Sequence, residues 1–152
     1  APNNLPVQLT SFLGRDRELG ELRGLLQTTR LVTLTGFGGC GKTRLAIQAA
    51  AEMLEAFPDG VWLVELAPVS DPDLVAHALG TVLKIREAPD KNPAEAVTNH
   101  LAQKKALLVL DNCEHLLDAC RDLVTALLRG APEVRIISTS RPLRAERELI
   151  VA

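Results

Sequence analysis

Tyrosine is missing from this 152-residue chain, and with three Phe and one Trp the aromatics make up only 3% of it. A surface that stacks the bases of single-stranded nucleic acid needs several rings, so that class of binder is disfavoured. Cysteine is scarce as well. Three cysteines at uneven spacings do not make a disulfide framework, and the expected compartment is reducing and cytoplasmic. Basic charge is not in excess: 17 Lys and Arg against 19 Asp and Glu give a formal net charge of −2. That balance offers neither DNA nor an anionic membrane a reason to bind. The chain also lacks an apolar run long enough to span a bilayer, a signal-peptide pattern at its start, internal repeats and low-complexity segments. It begins and ends abruptly, as expected of a piece of a longer protein.

What is present is organised around Gly36-Phe37-Gly38-Gly39-Cys40-Gly41-Lys42-Thr43. This matches G-x-x-x-x-G-K-[ST] at every fixed position. An apolar run, Leu31 to Thr35, precedes it and reads as a buried strand. A stripe at helical spacing follows, from Leu45 and Ala46 through Ala49, Ala50, Met53 and Leu54 to Phe57. Strand, glycine loop and helix together solve a charge problem. Glycines let successive N–H groups turn inward and let phosphates approach closely. The helix start adds its positive dipole end and its unpaired N–H groups. Lys42 would then reach the β- and γ-phosphates of a nucleoside triphosphate, and the Thr43 hydroxyl would ligate Mg²⁺.

Length fits one domain, 1–152, made of a lead-in and helix over 1–29 and a core over 30–152. Residues 1–10 read as an extended lead-in. A helix follows with Leu19, Leu22, Leu25 and Leu26 on one face. Strands are expected at 30–35, 61–66, 106–110, 134–139 and 148–151. Helices are expected from the glycine loop to Phe57, behind Asp71-Pro72, behind Asn92-Pro93 as far as Lys104-Lys105, and along Leu116 to Leu128. Both Asp-Pro and Asn-Pro are cap-then-proline signals, and Glu95 is placed to close a capping box. Strands alternating with helices predict an α/β fold, a mostly parallel sheet of about five strands with helices on both faces. Ligands of such sheets bind beyond the carboxyl ends of the strands. Three of those ends carry polar residues suited to a nucleotide: the glycine loop, Asp111, and Ser140-Arg141.

Asp111 closes a run of four apolar strand residues, where a carboxylate would hold Mg²⁺, often through water. Asn112 stands where an efficient ATPase often has a second acid, and an amide cannot take a proton as a base. Glu114 is the nearest acid that could activate water, so slow turnover is expected. Arg141 would sense or stabilise the γ-phosphate. Cys113, His115 and Cys120 are close in sequence but share one helix start without a fourth ligand, which disfavours a zinc site. Cys120 fits the core stripe, Trp62 reads as core, and His77 and His100 read as helix surface.

With these residues in hand, the chain resembles the nucleotide-binding domain of the STAND ATPases. This is the NB-ARC-like signalling class of P-loop NTPases, with its three-layer α/β/α architecture, and the likeness is to the form found in bacterial SARP and LuxR-like transcriptional regulators. Leu9 to Glu18 resembles the segment of that family that lies against the adenine. Thr35 to Ala46 resembles its phosphate loop, Leu107 to Leu117 (LLVLDNCEHLL) its Mg²⁺ strand, and Ser138 to Arg141 its sensor segment. The resemblance implies adenine contacts from Phe12, Leu13, Gly14 and Arg15. It implies phosphate contacts from Gly36, Gly38, Gly39, Cys40, Gly41, Lys42, Thr43 and Arg44. Mg²⁺ would sit on Thr43 and Asp111, and Lys42, Asp111, Glu114 and Arg141 would carry any catalysis. Phe37 stands where proline is common in that family, Cys40 where valine is common, and the run after Arg141 is shortened.

The function implied is an ATP- or ADP-binding switch with weak ATPase activity, using Mg²⁺ and coupled to other domains of the same polypeptide. DNA would be reached only through domains outside this chain, and a nucleotide-dependent oligomer fits a longer form. No membrane partner is expected. The alternative is a phosphotransferase acting on a small acceptor, which shares the loop but needs an arginine-rich lid. Arg86 and Lys91 are poor candidates for one.

Overall fold

The computed structural model describes residues 2–7, 16–35, 41–86, 90 and 92–140, together with the backbone of 148–150. In chain order these form α1 (Asp16–Thr28), β1 (Leu31–Thr35), α2 (Lys42–Glu52), β2 (Val61–Glu65), α3 (Val75–Val82), α4 (Pro93–Leu101), β3 (Leu107–Asp111), α5 (Leu117–Gly130), β4 (Arg135–Ser140) and β5 (Glu148–Ile150). The strands make one sheet in the order β2-β3-β4-β1-β5, and every pairing is parallel.

The three-layer arrangement follows from the two-residue period of the strands. On β3, Leu107 and Val109 face one apolar cluster with Leu19, Leu22 and Leu26 of α1 and Leu45, Ala46 and Ala49 of α2. The alternate residues, Leu108 and Leu110, face the other cluster with Leu79, Val97, Leu101, Cys120, Leu123 and Leu127 of α3, α4 and α5. A strand that is apolar at every position can be buried on both faces, and β3 is. Each fully buried leucine removes apolar surface worth about 1.5–3 kcal/mol. Between β1 and β4 the pattern breaks into hydroxyls. Thr33 pairs in register with Ser138, and their side-chain oxygens lie 3.0 Å apart, buried.

Several element ends differ from the sequence expectation. α2 stops at Glu52 and a 3-10 turn, Leu54–Ala56, carries the chain on, so Phe57 is buried from a loop and not from the helix. Asp71 accepts from the Asp73 N–H, but the proline it introduces opens a 3-10 turn, Pro72–Leu74, ahead of α3. Asn92 caps α4 by accepting from the Ala94 N–H at 2.8 Å, and that helix ends at Leu101, before the lysine pair. Trp62 is half-buried at the sheet edge and is not fully enclosed.

Two arginines close the end of the sheet away from the glycine loop. The Arg30 guanidinium donates to the carbonyls of Leu128 at 2.7 Å, Ala131 at 2.6 Å and Val134, satisfying the C-terminus of α5. Arg135 does the same for α1, donating to the carbonyls of Leu26 and Thr29.

Candidate functional site

α2 begins at Lys42, and its N-cap residue Gly41 adopts φ 84°, a left-handed conformation suited to glycine. Gly41 itself has no side chain with which to cap this start, and the positive end of the helix dipole lies here. Lys42, Thr43 and Arg44 occupy that first turn. They share an open pocket of about 410 Å³ with Gly41, Asp111, Asn112, Glu114 and Thr139.

The sheet delivers the other wall. Leu110 pairs with Ser138 across β3 and β4, so the next residues, Asp111 and Thr139, emerge side by side at the carboxyl ends. By the same alternation Asp111 shares a face with Leu107 and Val109, the face on which α2 packs. Asp111 Oδ1 therefore meets α2: it accepts from Thr43 Oγ1 at 2.9 Å and from Thr139 Oγ1 at 2.6 Å. Thr139 Oγ1 in turn accepts from the Asn112 N–H at 2.8 Å, and the Thr139 carbonyl accepts from the Cys113 N–H at 2.9 Å.

After Asp111 the chain turns through Asn112, at φ 69°. Asparagine tolerates the left-handed region better than most residues with a Cβ. The Asn112 side-chain nitrogen, oriented to satisfy both groups, donates to both carboxylate oxygens of Glu114, at 2.7 Å to Oε2. His115 is not among the residues that line the pocket; its Nε2 donates to the Val69 carbonyl at 2.7 Å, tying this turn to the loop after β2. Cys113 lies underneath, buried. Its hydrogen bond to Cys120, followed by burial, pushes its thiol well above the usual range. Cys113 and His115 thus serve different neighbours.

The oxygens around Asp111 suit a hard cation. Neighbouring ligands of a six-coordinate Mg²⁺ with bonds of about 2.1 Å stand about 3 Å apart, close to the 2.9 Å between Thr43 Oγ1 and Asp111 Oδ1. Among the described residues no group of three or more His, Cys, Asp or Glu is placed to hold a metal by itself. A two-oxygen site completed by phosphate and water is the chemistry this wall can offer.

Of the residues expected from the sequence, Gly41, Lys42, Thr43, Arg44, Asp111 and Glu114 come together around one pocket. Phe12, Leu13, Gly14, Arg15, Gly36, Gly38, Gly39, Cys40 and Arg141 lie outside the described residues. Two pocket residues had not been assigned to the site, Thr139 and Asn112 as a wall residue. Thr139 could have been found by continuing the strand alternation one step past Ile137, had the neighbour of Asp111 been known.

A family model described as Novel STAND NTPase 1 matches residues 7–146. An uncharacterized protein of Mycobacterium tuberculosis is 43% identical over 132 residues, 87% of this chain and 34% of that protein. Regulatory protein AfsR of Streptomyces griseus is 32% identical over 154 residues, 92% of this chain and 15% of AfsR. The chain therefore spans about a third of the first relative and a smaller part of the second. Among solved structures, a STAND protein of Pyrococcus horikoshii with a tetratricopeptide repeat sensor superposes with a TM-score of 0.65 at 21% identity, over 97% of this chain and 24% of that one. At that identity the likeness concerns the fold.

Proposed function

The chain belongs to the novel STAND NTPase 1 family, and from that premise we propose that it is the nucleotide switch of a larger regulatory protein, binding ATP or ADP with Mg²⁺ and hydrolysing ATP slowly. One observation carries this reading: the Thr43 hydroxyl and the Asp111 carboxylate meet at 2.9 Å beside the N-terminus of α2. In this reading the N–H groups from Gly36 to Thr43 cradle the phosphates, and Lys42 reaches the β- and γ-phosphates. Thr43 and Asp111 hold Mg²⁺, which offsets phosphate charge when bound. Glu114 orients the attacking water, Arg141 reads the γ-phosphate, and Phe12 to Arg15 lie against the adenine. The difference between nucleotide states then comes from γ-phosphate contacts, and it can bias attached domains only by as much as those contacts differ. Those domains carry the DNA-binding and transcriptional output, in the cytoplasm. The regulatory name of AfsR supports that setting.

The test is calorimetric titration of the chain with ATP, ADP and GTP, with and without Mg²⁺, beside Lys42→Ala. The expected result is adenine-selective, Mg²⁺-strengthened binding that the variant loses. A folded chain whose nucleotide affinity is unchanged by Lys42→Ala would remove the phosphate-loop reading.

A further inference from the structure

Asn112 is held from two sides. Its N–H donates to Thr139 Oγ1 at 2.8 Å, and its backbone sits at φ 69°. Pinned there, its side-chain amide lies against Glu114, and with the amide oriented by its hydrogen bonding, nitrogen toward the carboxylate, it reaches both oxygens. Glu114 and Asn112 both line the pocket that holds Lys42, Thr43 and Asp111. Glu114 is the carboxylate there that is not bonded to Thr43, and it is the one the hydrolytic reading needs as a base.

A carboxylate takes a proton from water only through a lone pair turned toward that water. A single donor within hydrogen-bonding reach of both oxygens turns the carboxylate toward itself. An amide N–H₂ can hold the base but cannot stand in for it, having no proton-accepting function there. The Asn112 side-chain amide makes no bond to Asp111, whose Oδ1 accepts from Thr43 and Thr139 instead. Binding and hydrolysis are thereby separable within one turn of chain.

We propose that Asn112 is a latch on Glu114: it holds the base away from the attacking water, so that nucleotide binds while turnover is restrained until the contact is broken. The proposal rests on the hydrolytic reading given above. Asn112 acts through Glu114 and is a positioning residue.

The decisive variant is Asn112→Gly. Glycine adopts the same left-handed backbone without strain and keeps the N–H that Thr139 holds. With saturating Mg–ATP, phosphate release from Asn112→Gly should rise roughly tenfold, a part of the 10²–10⁴-fold a general base can supply, while the ATP dissociation constant stays within about twofold. Adding Glu114→Gln to that variant should abolish the gain. Damage to the fold does not raise kcat, so a rise that depends on Glu114 identifies the latch. An unchanged or lower kcat with unchanged ATP affinity overturns it. A second measurement needs no nucleotide: the side-chain amide resonances of Asn112 should move upfield in Glu114→Gln. No movement overturns the contact whatever the chain binds. Movement in a chain that binds no nucleotide keeps the contact and removes the hydrolytic reading instead.

Discussion

Thr139 serves two neighbours with one hydroxyl, donating to Asp111 at 2.6 Å and accepting from the Asn112 N–H at 2.8 Å. Thr139→Val keeps the shape and removes both bonds, leaving a backbone N–H without its partner. That costs about 1–3 kcal/mol, read as a lower urea midpoint. The Asp111 carboxylate also loses a tether, so the Mg²⁺-dependence of nucleotide binding should weaken in the same variant. Wild-type Mg²⁺-dependence would confine Thr139 to a structural role. The residue was hard to read because its importance depends on which strand lies beside β3, a long-range fact, whereas Lys42, Thr43 and Asp111 are marked by short local patterns. His100 supplies a pH test. His100 is exposed, but partial desolvation first, and then Lys104 beside it, lowers its pKa from 6.5. The folded chain thus binds fewer protons there than the unfolded chain. The contribution to stability is full above the unfolded value and falls as pH drops through that value toward the folded one. Denaturant midpoints from pH 7.5 to pH 5 should therefore fall less steeply in His100→Gln than in the wild type.

Elements were legible in kind but less so at their ends. The apolar runs of β1 to β4 and the stripes of α1 and α5 follow directly from the periods of strand and helix. The ends are decided by contacts the sequence does not reveal. α5 runs to Gly130 because Arg30, 98 residues before Leu128 in the chain, supplies donors to its last carbonyls. Arg30→Met keeps the stem and removes the donors. With charged hydrogen bonds worth about 1.5–3 kcal/mol each and neighbouring water able to replace some of them, the expected loss is about 2 kcal/mol. It should be read by urea unfolding, with nucleotide affinity unchanged because the contact is at the far end of the sheet. A turn gives the same lesson. Gly60 sits at φ 119°, and a Cβ there would come 2.5 Å from Trp62 Nε1. The turn signal was visible at Pro58-Asp59-Gly60; the positive φ already asks for glycine, and the fold adds the Trp62 indole, two residues on, folded back against it.

At the scale of the whole molecule, the doubly covered sheet was foreseeable from strands apolar on both faces, but the strand order was not. Placing β2 at an edge gives the N-terminal lead-in a task. The Pro2 carbonyl accepts from the Val61 N–H at 3.0 Å, and Asn3 bridges Val61 in parallel. The Asn4 side chain then copies a peptide: its nitrogen donates to the Leu63 carbonyl at 2.8 Å and its oxygen accepts from the Leu63 N–H at 2.6 Å. An amide group offers one donor face and one acceptor face, which is what the next rung of the ladder requires. Without it β2 would present open N–H and C=O groups, a template for another strand. Asn4→Ala leaves both Leu63 groups unpaired at a buried position, and the expected cost is about 1–3 kcal/mol. It should also bring concentration-dependent association in sedimentation velocity, since the freed rung can pair with a second copy. A variant as stable and as monodisperse as the wild type would mean that the lead-in rests on the edge without guarding it.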